Sequence, residues 1–202
     1  MFTRACAVYE KYNAVMRACS GVANFMRRRD ELCHDNRYAS TIHAINSCIL
    51  KVSKVTRVSV VYRGFAGRVL PPSFWAEDAD GVAGGCEYGF LSATTDRSMA
   101  AYYAANTADG VAPTVLEMRQ AMVDRGADLA WLSQYEHERE VAFPPLTGLE
   151  MISSRVDGHL LVLHLQLSLN LTALTLEQVN STSPRERHPQ HPPQLSLAID
   201  LT

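Results

Sequence analysis

Ser133-Gln134-Tyr135-Glu136-His137-Glu138-Arg139-Glu140-Val141-Ala142-Phe143-Pro144-Pro145 runs from acidic residues into an apolar segment that two prolines close. A short apolar run of this kind enters a β-sheet, and side chains two apart on a strand share a face, so Glu138 and Glu140 are expected to project together from the strand's start. Like charges held close raise each other's pKa and cost stability, a cost that chemistry at the pair would explain. The competing reading is a solvated acidic loop. Glu136 stands in the same spacing to Glu138, which leaves a register two residues earlier open; the later pair is preferred because Val141 follows it directly. His137, between carboxylates, is read as a loop residue in solvent.

Outward from this stretch, 202 residues with 47% hydrophobic composition allow one well-cored domain and not two. That domain is assigned to residues 1–180. Residues 181–202 carry Pro184, Pro189, Pro192 and Pro193 among charged residues and histidines, and read as a tail or linker. The alternation of Leu195, Leu197, Ile199 and Leu201 leaves open a loose edge strand within it. A net charge of -2 and no basic block longer than Arg27-Arg28-Arg29 argue against nucleic acid or an anionic membrane surface as partner.

Five cysteines without a CxxC pair are expected as reduced thiols, and no His/Cys cluster at metal spacing is present, so no metal is expected; His43 is read as a helix-flank residue. Neither a GxGxxG fingerprint nor a GK[ST] phosphate loop occurs. Charged residues interrupt the amino-terminal apolar positions and no run approaches a membrane span, which sets an expectation of an intracellular, cytoplasmic protein. On that expectation the acceptor patterns at Asn170 and Asn180 go unglycosylated.

In chain order, Val8, Tyr12, Val15, Met16 and Cys19 give an amphipathic helix that Gly21 can stop. A second follows cap candidates Asp35 and Asn36, with Tyr38, Ile42, Ile45, Ile49 and Val52 along one stripe. Thr56 to Arg63 reads as a strand that Gly64 ends, which places Arg63 at a strand terminus beside a flexible residue, suited to a forked contact with phosphate or carboxylate. Gly81, Gly84 and Gly85 read as a loop. Tyr88 to Thr95 is a strand ending in the hydroxyl cluster Ser92-Ala93-Thr94-Thr95, and Asp96 caps a helix containing Met99, Ala100, Tyr102 and Tyr103. Thr114 to Met118 and Met151 to Val156 are further strands, and Leu163 to Leu171 alternate most cleanly of all, with His164 on the polar face toward solvent.

Val61-Tyr62-Arg63-Gly64, Gly89-Phe90-Leu91-Ser92-Ala93-Thr94 and Gly126 to Pro145 with its Glu138-Arg139-Glu140 resemble, in order and placement, the three motifs of the arginine-type mono-ADP-ribosyltransferases. The likeness extends from about Tyr9 to Val179. It implies an α+β fold with a split core of two mainly antiparallel β-sheets flanked by amino-terminal helices. It also implies NAD as co-substrate and a target protein with an accessible arginine as partner. Catalytic roles fall on Arg63, Ser92, Glu138 and Glu140, and NAD contacts on Arg63, Gly64, Ser92 and Glu140. Glu140 would stabilise the cation developing on the ribose, Glu138 would bind the acceptor guanidinium, Arg63 would engage the anionic part of NAD, and Ser92 would brace Glu140. Trp131 and Tyr135 on the preceding loop are candidates for target contact, packing being the other reading for Trp131. Ala93 stands where the family has Thr, which implies one supporting hydrogen bond fewer. Three functional classes follow: arginine transferase, NAD glycohydrolase with water as acceptor, and an interaction domain that keeps only the fold. Oligomeric state is not legible.

Overall fold

The computed structural model describes residues 7–65, 70–105, 112–133, 135–169 and 198–199. Three helices come first: α1 (Ala7–Ala18), α2 (Ala23–Cys33) and α3 (Ala39–Ser53). Strand β1 (Val60–Phe65), the single-turn helix α4 (Pro72–Trp75), β2 (Gly84–Glu87) and β3 (Leu91–Thr94) precede helix α5 (Arg97–Ala105). The rest is β4 (Thr114–Arg119), β5 (Ala127–Asp128), a 3-10 turn at Glu136–Glu138, β6 (Glu140–Phe143), β7 (Thr147–Asp157), β8 (Leu160–Ser168) and β9 (Ala198–Ile199). The α+β expectation holds, with helices first and the sheet after them.

The strands follow the order β5-β6-β3-β1-β4-β8-β7-β2-β9, antiparallel except at β4–β8 and β2–β9. The sheet is split in its middle. β1 and β4 share six register pairs and β3 and β6 four, but β1 and β3 meet only at Tyr62↔Thr94 among the described residues. Beyond that pair the two halves diverge, and the divergence frees backbone groups of β3 for other partners.

Strand alternation sorts the side chains. Val61, Leu91, Ala93, Val141 and Phe143 point to one face, where they join Leu116, Leu163, Leu165, Leu167 and Phe74 in the main core. The opposite face is covered twice: α1 and α3 bury Met16 and Ile49 against Phe90 and Ala142, and α5 lays Ala100 and Ala104 on Val115 and Val162. Between these covers lie Ser92, Thr94 and Glu140. Helix α1 is fixed by a buried ion pair, Arg17 to Glu87 at 2.9 Å, and by Asn13 Oδ1, which accepts from the Phe90 amide at 3.0 Å. Both contacts set the entry of the chain into β3.

Several expectations need correction. Helix α2 was not expected: of its residues only Cys33 is buried, and its inward face of Phe25, Leu32 and Cys33 is interrupted by Arg29, while the ion pairs of Arg28 with Glu10 and Glu31 are exposed. Helix α3 starts from Tyr38, in a left-handed conformation without a side-chain cap; Asn36 Oδ1 instead accepts from the Tyr38 amide. β1 begins at Val60, not Thr56, and continues through Gly64 to Phe65, so Arg63 is interior to its strand. Gly84 and Gly85 belong to β2 and not to a loop. His164 is half-buried and lies 2.8 Å from Glu117, on the face that α5 covers at Val162. Cys6, Gln134, Asn170, Asn180 and all of the tail except Ala198–Ile199 lie outside the described residues; those two pair in parallel with Cys86 and Glu87 of β2.

Candidate active site

The site stands where the sheet divides. Gly64 at the divergence is crossed by α5 so closely that a Cβ there would meet the Ala100 carbonyl oxygen at 1.8 Å. Only glycine permits that approach, and it explains this residue by packing. Next to it the Arg63 guanidinium reaches over to β3, where Nη1 donates to the Ser92 carbonyl. A guanidinium has five donors in a planar fork, and this contact orients the group at the divergence.

Ser92 then turns to β6. Its register partner is Ala142, and Glu140 lies diagonally across the same face, where the Ser92 hydroxyl donates to Glu140 Oε1 at 2.7 Å. Glu140 is only 1% exposed, and its Oε2 is buried without a hydrogen-bond partner among the described residues. Burial pushes the carboxyl above its ordinary range, the Ser92 hydrogen bond and the Arg63 charge opposing and the Glu138 charge adding to the rise.

Glu138 reaches the same neighbourhood by a different route from the expected strand alternation. It ends the 3-10 turn, and Arg139, at φ 43°, swings the chain through the left-handed region before Glu140 opens β6. Thr95 donates its amide to the Arg139 carbonyl at 3.2 Å and holds that bend against β3. Glu138 is 9% exposed; its Oε1 accepts from the Tyr103 hydroxyl on α5 at 2.9 Å, and its Oε2, like that of Glu140, is buried without a partner among the described residues. Two fixed carboxylates thus each present one bare oxygen. Buried acceptors without donors are costly, and a ligand that carries hydroxyls and a cation would supply donors to both.

Of the predicted residues, Arg63, Ser92 and Glu140 form one connected chain, and Glu138 joins them from the side. Glu136 and His137 are exposed. Trp131 is 70% exposed, with its indole nitrogen donating to the Asp128 carbonyl at 3.1 Å. Ala93 faces the main core, opposite Ser92 and Thr94, so a hydroxyl at that position would point away from Glu140 and into apolar packing. Sequence reasoning left Tyr103 out of the site. Its only signal was a Tyr-Tyr pair on the helix after the hydroxyl cluster, and nothing in the spacing aims it at Glu138.

No protein-family model matches the chain, and no curated protein matches it in sequence. Solved structures do match in three dimensions. HopU1 of Pseudomonas syringae pv. tomato DC3000, described as an ADP-ribosyltransferase, superposes with a TM-score of 0.56 at 18% identity over 80% of this chain and 65% of that one. The chain has the ADP-ribosyltransferase fold. This chain therefore spans just under two thirds of HopU1. Two further structures match at lower scores: the Vis toxin of Vibrio splendidus, described as an ADP-ribosyltransferase, at TM-score 0.47, 14% identity and coverage of 84% and 79%, and exoenzyme S of Pseudomonas aeruginosa in complex with human 14-3-3 protein beta and bound to carba-NAD, at 0.46, 17%, 79% and 66%. Within the ADP-ribosyltransferase fold the split between β1 and β3 is the feature around which Arg63, Ser92, Glu138 and Glu140 gather.

Proposed function

We propose that this chain is a mono-ADP-ribosyltransferase that moves ADP-ribose from NAD to the guanidinium of a protein arginine and releases nicotinamide. The observation that carries the reading is the pair of buried carboxylates, Glu140 braced by Ser92 and Glu138 by Tyr103, each with one oxygen free to accept. Cleavage of the bond between nicotinamide and ribose leaves positive charge on the sugar. Glu140, fixed and shielded from water, stabilises that charge more strongly than an exposed carboxylate would. A protonated arginine is a poor nucleophile, and Glu138 both binds its guanidinium and takes the proton as the new C–N bond forms. Arg63, oriented by its contact to the Ser92 carbonyl, holds the anionic pyrophosphate of NAD.

The test is nicotinamide release from NAD with and without agmatine as a small guanidino acceptor. Stimulation by agmatine, with arginine identified by mass spectrometry as the modified side chain in a lysate, is the expected result. Release that agmatine does not raise would replace the transferase by a glycohydrolase. A calorimetric titration with NAD that gives no saturable heat would leave only an interaction domain with this fold.

A further inference from the structure

We infer that Tyr103 is the positioning residue that decides whether ADP-ribose goes to a guanidinium or to water. The inference rests on the transferase reading above and deepens it. Tyr103 lies on α5, the helix whose Ala100 and Ala104 backbone abuts Gly64, the neighbour of Arg63. The start of α5 is tied to the end of β3, since Thr94 Oγ1 accepts from the Asp96 amide at 2.9 Å and Asp96 Oδ1 accepts from the Ser98 amide at 2.9 Å. One element is thus keyed to β1 and β3, the strands of Arg63 and Ser92. From it a phenol extends to the carboxylate on the acceptor side.

That phenol has a single proton, and it donates it to Glu138 Oε1. Burial, then the hydrogen bond to Glu138, push the Tyr103 hydroxyl up to about 12, so it remains a donor across the working pH range. The bond selects which Glu138 oxygen is occupied and fixes the rotation of the carboxylate, so Oε2 is the oxygen left to meet an incoming guanidinium. Tyr103 donates to Oε1, and Oε2 has no hydrogen-bond partner among the described residues. Without the Tyr103 donor the carboxylate can rotate, and the oriented guanidinium contact is lost while water, small and unoriented, is not comparably penalised.

The experiment compares wild type with Tyr103→Phe, which keeps the ring and removes the donor. The ratio of agmatine-dependent to agmatine-independent nicotinamide release should fall about tenfold, carried mainly by a higher KM for agmatine and not by kcat. The KM for NAD should not follow it. A ratio that stays constant, whether both rates fall together or neither moves, would overturn the inference while leaving the transferase reading in place. Absence of any nicotinamide release from wild type would overturn the transferase reading itself and this inference with it. A second measurement does not use activity: the melting-temperature shifts of Tyr103→Phe, Glu138→Leu, which removes the acceptor, and the double variant should be non-additive if the hydrogen bond exists in solution. Additive shifts would equally dismiss the role.

Discussion

If Glu140 has the role proposed for it, its burial sets stability against function, and the conflict can be measured. Its folded-state pKa is raised by burial, so the folded form holds its proton to higher pH than the unfolded chain does. The stability from this group is present at acid pH and is lost as pH rises through the raised pKa. Glu140→Gln keeps the shape and the Ser92 contact but removes the buried charge. We expect its melting temperature to exceed wild type at pH 7.5 by about 2–4 °C, the shift that ~1 kcal/mol gives in a domain of this size, and the gap to close toward pH 4. A variant less stable than wild type at pH 7.5 would show that the ionised carboxylate is not a burden to the fold. The same substitution should lower nicotinamide release by roughly a hundredfold or more with any acceptor, because stabilisation of the sugar cation is worth a few kcal/mol. Glu138→Gln should differ in kind, with transfer to agmatine lost and slow release to water retained. Equal loss of both activities in the two variants, with folding verified by circular dichroism, would end the division of labour between them.

The elements matter because each site residue is placed by a contact between two of them. Gly64 is the tightest of these points, where β1 and α5 touch backbone to backbone. Gly64→Ala would drive a methyl group into the Ala100 carbonyl, and α5 would have to lift. We expect a loss of about 1–3 kcal/mol, read as a lower urea midpoint with unchanged slope. Since α5 also carries Tyr103, transfer to agmatine should suffer beyond the loss of stability, and an active Gly64→Ala enzyme with a wild-type agmatine KM would show that α5 does not set the acceptor side. The Arg17 to Glu87 pair anchors α1 in a comparable way. Arg17→Ala would leave a carboxylate that is 1% exposed without that partner, at a cost of about 3 kcal/mol.

At the scale of the molecule, the sheet closes on one side with β9 laid along β2. Two residues of parallel pairing contribute little, and deletion of residues 181–202 should lower the melting temperature by no more than about 2–4 °C, equivalent to ~1 kcal/mol. A larger drop would make the tail an integral strand of the domain. NAD cleavage should survive the deletion, because β2 and β9 lie at the opposite end of the strand order from β6 and β3.

The sequence by itself determined the local pieces: the α3 stripe, the alternating strand β8 and the Asp96 start of α5, all of which are written as periodicity or as a capping residue beside its helix. Helix α1 was legible as a helix but not in its buried face, since Val8 is exposed while Asn13 and Arg17 are buried. The sequence also marked Arg63, Ser92, Glu138 and Glu140 as a set, through motif order and not through any visible contact. Tertiary structure alone decided how they meet. The alternation rule brought Glu138 and Glu140 to one place for the wrong reason, since Arg139 in the left-handed region, and not a shared strand, turns both inward. Ala93 reads as a lost hydroxyl until the register places it on the core face. Helix α2 carries only a short apolar face, Phe25, Leu32 and Cys33, that Arg29 interrupts. Tyr103 and Glu138 lie 35 residues apart, and a hydrogen bond across that separation leaves no periodic trace. Local periodicity records which face of an element is buried; which two faces are pressed together is settled only when the whole core packs.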